Sequence, residues 1–196
     1  MSAGAPRIHE SVFVAPSATL TGRISIGAGS SVWHQVVARA ECQEIRVGRM
    51  TNLQDFAMLH VSYETPTVIG DFCSITHHAT VHGCTIGDAC LIGINAVVMD
   101  GAEIGAGSIV APGAVVREGQ CFGPGSIVAG VPAKLLRERD ETRANRLNAW
   151  LYWRNAQHTR RGDHRAWSGP DYEAWLAQLR AEIETGRDLE RAPRDA

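Results

Sequence analysis

The chain has 196 residues, enough for one domain with an appendage, and 44% hydrophobic residues, enough to bury a core. Its formal charge of −2 gives no electrostatic basis for binding nucleic acid or an anionic membrane surface. No apolar run approaches the ~18 residues of a membrane span, and Met1 to Arg7 lacks the hydrophobic region of a signal peptide, so a cytoplasmic protein is expected.

Aliphatic residues recur every six positions from the start of the chain. The first series is Val14, Leu20, Ile26, Val32 and Ala38, and the second is Val47, Leu53 and Leu59. The third is Ile69, Ile75 and Val81, and the fourth runs from Ile86 through Ile92, Val98, Ile104, Val110, Val116 and Phe122 to Val128. Small residues follow four positions behind, among them Ala18, Thr51, Ala57, Ala79, Ala96, Ala102 and Ala114. A period of six fits neither an amphipathic helix nor an alternating strand. Sustained over this length, it marks a solenoid, and hexapeptide repeats mark a parallel β-helix. The solenoid is expected over residues 10–134, in six or seven coils.

Three interruptions break the period. Ala38 to Val47 carries three extra residues, Leu59 to Ile69 carries four, and Val81 to Ile86 is one short. Insertions on a solenoid are where function concentrates. Five cysteines (Cys42, Cys73, Cys84, Cys90 and Cys121) form no Cys-x-x-Cys pair and are expected to be reduced, buried thiols. Beyond Ala133 the charge density rises, and a helical segment is expected over 135–188. Its first helix is predicted from Leu135 to about Arg161. A second is predicted to start at Ser168-Gly-Pro-Asp171 and to stop at Gly186, with Tyr172, Trp175, Leu176, Leu179 and Ile183 on one face. These helices are expected to pack on the solenoid or on a neighbouring subunit, with their charges solvated, and Leu189 to Ala196 to be frayed.

Counting hexads three to a coil places His60, after Leu59, and His82, after Val81, at the same place on one face in successive coils. Arg39, after Ala38, falls in the same column one coil below. Parallel neighbours lie ~4.8 Å apart, and two imidazoles at that spacing can ligate one ion through bonds of ~2.0–2.1 Å. His77 falls on another face, too far around to join them easily within one chain. A trimer packed side by side would bring His77 of one chain to His60 and His82 of the next. The plainer alternative for any histidine on such a surface is a solvated or locally bonded side chain, the reading given to His9, His34, His158 and His164.

Several stretches then resemble one family. Arg39-Ala-Glu41, Thr51-Asn-Leu-Gln-Asp55, His60, Ile75-Thr-His-His-Ala-Thr-Val-His-Gly-Cys84, Leu91-Ile-Gly93, Asn95-Ala-Val-Val-Met-Asp100 and Val128-Ala-Gly-Val-Pro-Ala-Lys134 are similar to the γ-class carbonic anhydrase signature. That family belongs to the hexapeptide-repeat, left-handed β-helix superfamily. The resemblance implies a left-handed triangular β-helix and a homotrimer. Zn2+, or alternatively Fe2+ or Co2+, would be bound between subunits by His60, His77 and His82. It implies reversible hydration of carbon dioxide to bicarbonate by a metal-bound hydroxide. By position, Gln54 and Asn52 match polar residues beside the metal-bound water, and Arg39 and Glu41 match an Arg/Asp couple at the subunit interface, here with Glu in place of Asp. Tyr152 matches a tyrosine that overhangs the site in some members. His78 stands where glycine is common, as a bystander or a proton carrier. The archaeal founder of the class has an acidic loop after its first histidine. The loop here, Val61 to Val68, offers only Glu64 as a proton shuttle, so slow or absent hydration is the alternative outcome. The rival functions are a hexapeptide-repeat acyltransferase and a non-catalytic metal-binding assembly subunit.

Overall fold

The computed structural model describes residues 4–195. Each hexad supplies a short strand whose aliphatic residue points inward, followed by a turn, and the strands stack in parallel into a β-helix of three faces. The first face carries the leading halves of Thr19–Ile26 and Val37–Val47, then Met58–His60, Thr80–His82, Val97–Val98 and Val115–Val116. The second carries Arg7–Ile8, the trailing halves of the same two long strands, Thr67–Ile69, Thr85–Ile86, Glu103–Ile104 and Cys121–Phe122. The third runs through Phe13–Val14, Ser31–Val32, Asn52–Leu53, Ser74–Ile75, Leu91–Ile92, Ile109–Val110 and Ser126–Ala129.

The core is three aliphatic columns. Leu59, Val81, Val98 and Val116 are fully buried on the first face, and Val32, Ile75, Ile92 and Val110 on the third. On the second face, Val47, Ile69, Ile86 and Ile104 are also buried. Burial of side chains of this size is worth about 1.5–3 kcal/mol each, so the repeat itself supplies the driving force for coiling. Val14, in frame with the repeat, stays exposed because it lies on the strand at the open end of the third face.

The three interruptions stack on one corner, between the first and second faces. The extra residues after Ala40 form a bulge in Val37–Val47, with the register shifting opposite Gly22 to Ile24. That bulge leans on the next insertion: Cys42 Sγ donates to the Ser62 carbonyl at 3.2 Å, and Gln43 Nε2 to that of Tyr63 at 3.2 Å. The shortened hexad turns above it at Gly83, whose φ of +54° favours glycine.

Three expectations for the C-terminal segment are corrected. Leu135 does not begin a helix. Lys134–Glu138 is a strand, antiparallel to Ser126–Ala129, that extends the third face. Helix α1 spans Thr142–Thr159, α2 Pro170–Thr185 and α3 Arg187–Arg191. Helix α2 starts at Pro170 and is closed by Gly186 at φ +77°, as the start and stop signals indicated. The tail beyond Leu189 is docked rather than frayed over its described part. Ala192 is buried, and the Asp195 carboxylate accepts from the Ala28 N–H at 2.7 Å; Ala196 lies outside the described residues.

Nor are all the tail's charges solvated. Asp188, fully buried, accepts from Arg146 and from the Trp150 indole at 3.2 Å. Met50, Phe72, Trp150, Leu179 and Ile183 form a second core that seats the helices on a solenoid corner. The cysteines carry free thiols, but Cys42 and Cys121 are exposed, so only three of the five are buried. Among the described residues no helix is long and apolar enough to cross a membrane.

Candidate metal centre

The first face aligns Arg39, His60 and His82 as direct register partners on three successive coils. Their neighbours Ala38, Leu59 and Val81 point inward, so alternation along a strand aims these three outward. His60 Nδ1 and His82 Nε2 lie 3.0 Å apart. Two nitrogens bound tetrahedrally to one ion through bonds of ~2.0–2.1 Å would be separated by ~3.4 Å. The pair as it stands is ~0.4 Å tighter than that separation, so the two nitrogens would part slightly to share an ion.

His77 lies at the end of the third face, on the turn after Ile75. Among the described residues, no group of three or more His, Cys, Asp and Glu side chains of the single chain could hold a metal ion. His60 and His82 are brought together by the fold, and His77 is not brought to them.

Each of the three histidines has a carboxylate on one ring nitrogen. Asp100 bonds His82 Nδ1, Glu41 Oε2 lies 3.0 Å from His60 Nε2, and Asp55 Oδ2 lies 3.3 Å from His77 Nδ1. Carboxylates behind ligating histidines fix the tautomer and ring orientation and raise basicity. The arrangement leaves Nε2 of His82, Nε2 of His77 and Nδ1 of His60 on the far side of each ring. Three imidazoles so supported, two of them already paired, are a donor set that fits a zinc-type divalent ion. Glu41 reaches His60 because it opens the bulge after Ala40. It also ion-pairs with Arg39 within the chain.

Gln54 and Asn52 lie on the third face and are nearly inaccessible, at 2% and 1% exposure. Gln54 Nε2 donates to Asn52 Oδ1 at 2.9 Å, and Asn52 Nδ2 donates to the Cys73 carbonyl at 3.2 Å and to Ser74 Oγ at 2.9 Å. Tyr152, on α1, places its hydroxyl 3.5 Å from His77 Nε2, while its ring meets Trp33 edge-on at 5.8 Å between centroids. Burial and the nearby Asp55 carboxylate push the Tyr152 phenol up to about 12, so it stays protonated across the physiological range.

Glu64 sits in an exposed turn, where its backbone N–H donates to Ser62 Oγ at 3.2 Å. His78 adopts φ +58° and stacks on Phe56, with 4.7 Å between centroids. Its left-handed backbone is the physical reason glycine suits this corner. His9, His34 and His158 bond locally to Ser11, Ser17 and Asp163.

Sequence reasoning did not single out Ser74 or Trp33, and it assigned no role to Asp100, which closes the Asn95–Asp100 stretch. Asp100 could have been found by continuing the count: Val98 pairs with Val81, so Asp100 lies just beyond the residue facing His82.

Comparison with known proteins adds four findings. Residues 83–118 match the family model described as bacterial transferase hexapeptide (six repeats). A protein named "Probable carbonic anhydrase" from Methanocaldococcus jannaschii is 44% identical over 147 residues, 74% of this chain and 92% of that protein. "Gamma carbonic anhydrase 2, mitochondrial" of Arabidopsis thaliana is 41% identical over 102 residues, 49% of this chain, and the match spans only 37% of the plant protein's length. Among solved structures, a hexapeptide transferase family protein from Anaplasma phagocytophilum superposes with a TM-score of 0.74 at 33% identity, covering 78% of this chain and 91% of that one.

Proposed function

Because the chain belongs to the γ-carbonic-anhydrase-like family of hexapeptide-repeat proteins, we propose that it is a metal-dependent lyase interconverting carbon dioxide and bicarbonate at the subunit interfaces of a homotrimer. The observation that carries this reading is the register pair His60 and His82, 3.0 Å apart, with a carboxylate behind each ring. His60 and His82 of one chain, with His77 of the next, would hold the ion: Zn2+, or Fe2+ or Co2+ on the same donors. Bound there, the ion would supply a Lewis acid that polarises oxygen and acidifies water at an open position.

The chain's own residues do the rest. Asp100, Asp55 and Glu41 orient the three imidazoles. Asn52 takes up the Gln54 amide nitrogen, which would leave the Gln54 carbonyl oxygen as the acceptor for a hydroxyl-bearing reactant. The Tyr152 hydroxyl, neutral and next to His77, offers a donor to an anionic product without adding charge. Arg39 and Glu41 pair at the rim. Glu64, on its exposed turn, is a candidate to pass protons to bulk solvent.

The transferase fold neighbour supports a second reading, acyl transfer with a histidine as base. A base would need one imidazole, whereas the ladder presents two paired ones. Metal analysis of anaerobically purified protein followed by stopped-flow carbon dioxide hydration separates these readings. The lyase reading expects about one metal ion per chain and hydration that rises with pH. Metal-loaded protein that hydrates no faster than the metal-free form would reject it in favour of a scaffold or another substrate.

A further inference from the structure

The third face carries a buried polar ladder that extends beyond the candidate site into the C-terminal helix. Asn148 of α1 donates from Nδ2 to Ser74 Oγ at 2.8 Å, and Ser74 is fully buried. The same oxygen accepts from Asn52 Nδ2 at 2.9 Å, and Asn52 in turn accepts from Gln54. The chain Asn148–Ser74–Asn52–Gln54 thus links a helix outside the solenoid to Gln54, the amide that the proposed function turns toward the reactant.

The ladder is not alone in docking the helix. Asn145, one turn earlier, anchors α1 through Ala89 and Ser108 carbonyls at 2.7 and 3.2 Å. Trp150 and Ala149 bury its apolar side, and Ala156 joins the Phe13–Trp33 cluster below. Burying a hydroxyl and two amides costs free energy unless every member is bonded. Aliphatic residues at positions 52, 74 and 148 would have served packing alone.

We infer that Asn148 is a positioning residue for Gln54, acting through Ser74 and Asn52, and that α1 is therefore part of the site. The polarity of the ladder follows from its ends. The Cys73 carbonyl can only accept, so it takes Asn52 Nδ2 and leaves Asn52 Oδ1 for Gln54. Asn148 Nδ2 and Asn52 Nδ2 both donate to Ser74 Oγ, so the oxygen that holds Asn52 is itself held by α1. With Asn52 held from both sides, Gln54 Nε2 is committed to Asn52 Oδ1, which leaves Oε1 as the end available to a reactant. The inference rests on the reading of Gln54 as a residue that faces the reactant.

Asn148→Asp tests it, since the side chain keeps its size but can no longer donate; Asn148→Ala guards against an effect of the new charge. Two measurements separate positioning from packing. The first uses the side-chain amide NMR signals of Asn52 and Gln54, assigned by their loss in Asn52→Asp and Gln54→Glu. Both signals should shift in each Asn148 variant, and their hydrogen exchange should quicken. The second is carbon dioxide hydration in a double-mutant cycle with Gln54→Ala. Asn148→Asp should lower kcat by about fivefold, the rate equivalent of one ordinary hydrogen bond, with metal content unchanged. In the Gln54→Ala background it should do no further harm. Unmoved Gln54 signals, or an equal loss of activity in both backgrounds, would overturn the inference. If the wild-type protein proves inactive in hydration, the lyase reading fails, while the NMR arm still decides the role of Asn148.

Discussion

Replacing Asp100 with alanine should weaken metal binding without unfolding the chain. Asp100 is the only carboxylate placed on His82 Nδ1 among the described residues, and His82 Nε2 is the nitrogen that faces His60. Removing the carboxylate frees the ring to rotate and to place its proton on either nitrogen. Losses of this kind typically cost about 10–100-fold in metal affinity, equivalent to about 1.4–2.7 kcal/mol. The Asp100 side chain is 32% exposed, so water can take over part of its role. The expected loss therefore lies near the lower end, about tenfold.

Asp100→Asn keeps an oxygen acceptor and should lose about threefold or less. Gly83→Ala should resemble Asp100→Ala, because a Cβ there would sit 2.7 Å from Asp100 Oδ1 and 2.6 Å from Thr65 Oγ1, on a backbone at φ +54°. Competition for Zn2+ or Co2+ against a chromophoric chelator gives the affinities, and circular dichroism checks that the β-helix is intact. Asp100→Ala binding within twofold of wild type, or a loss that tracks loss of β signal, would refute the reasoning.

Asp188→Ala strands the buried Arg146 guanidinium and the Trp150 indole. Breaking such a buried pair costs about 3–5 kcal/mol, so thermal melting followed by circular dichroism should fall by about 10 °C; a shift under about 3 °C would contradict the assignment. Tyr152 should ionise only near pH 12, held neutral by burial and by Asp55. Because its folded value is raised above the ordinary ~10, its contribution to stability is present below pH ~10 and is lost as pH rises towards 12. Absorbance near 295 nm should show this late phenolate component in the wild type and lack it in Tyr152→Phe; its persistence in the variant would assign it elsewhere.

The solenoid is legible in the sequence because its signal is local and repeated. Each aliphatic residue at the head of a hexad, such as Leu59, Val81 or Ile92, meets the same environment one coil above and below. The stacking of His60 on His82 follows from that count alone. The strand Lys134–Glu138 is not legible in the same way. Leu135-Leu-Arg-Glu-Arg139 has the composition of a helix, and only its antiparallel pairing with Ser126–Ala129 overrides the propensity. Docking of the tail depends on Asp188 meeting Arg146 and Asp195 meeting the turn at Ala28, contacts between distant segments with no periodic signature. The polar ladder shows the same limit. Asn52 and Gln54 carry a motif, but Ser74 joins them through the register and Asn148 only once α1 is laid across the third face.

The intersubunit site is tested most directly by complementation between two variants, His77→Ala and the double variant His60→Ala/His82→Ala. Each alone should form trimers with no complete site. After mixing by unfolding and refolding together, a trimer of either 2:1 composition joins one intact His60/His82 pair to one intact His77 at a single interface of the three. Native mass spectrometry should then show one metal ion in mixed trimers and none in either parent, with partial hydration activity restored. Mixed trimers that remain metal-free and inactive would contradict a site shared between chains.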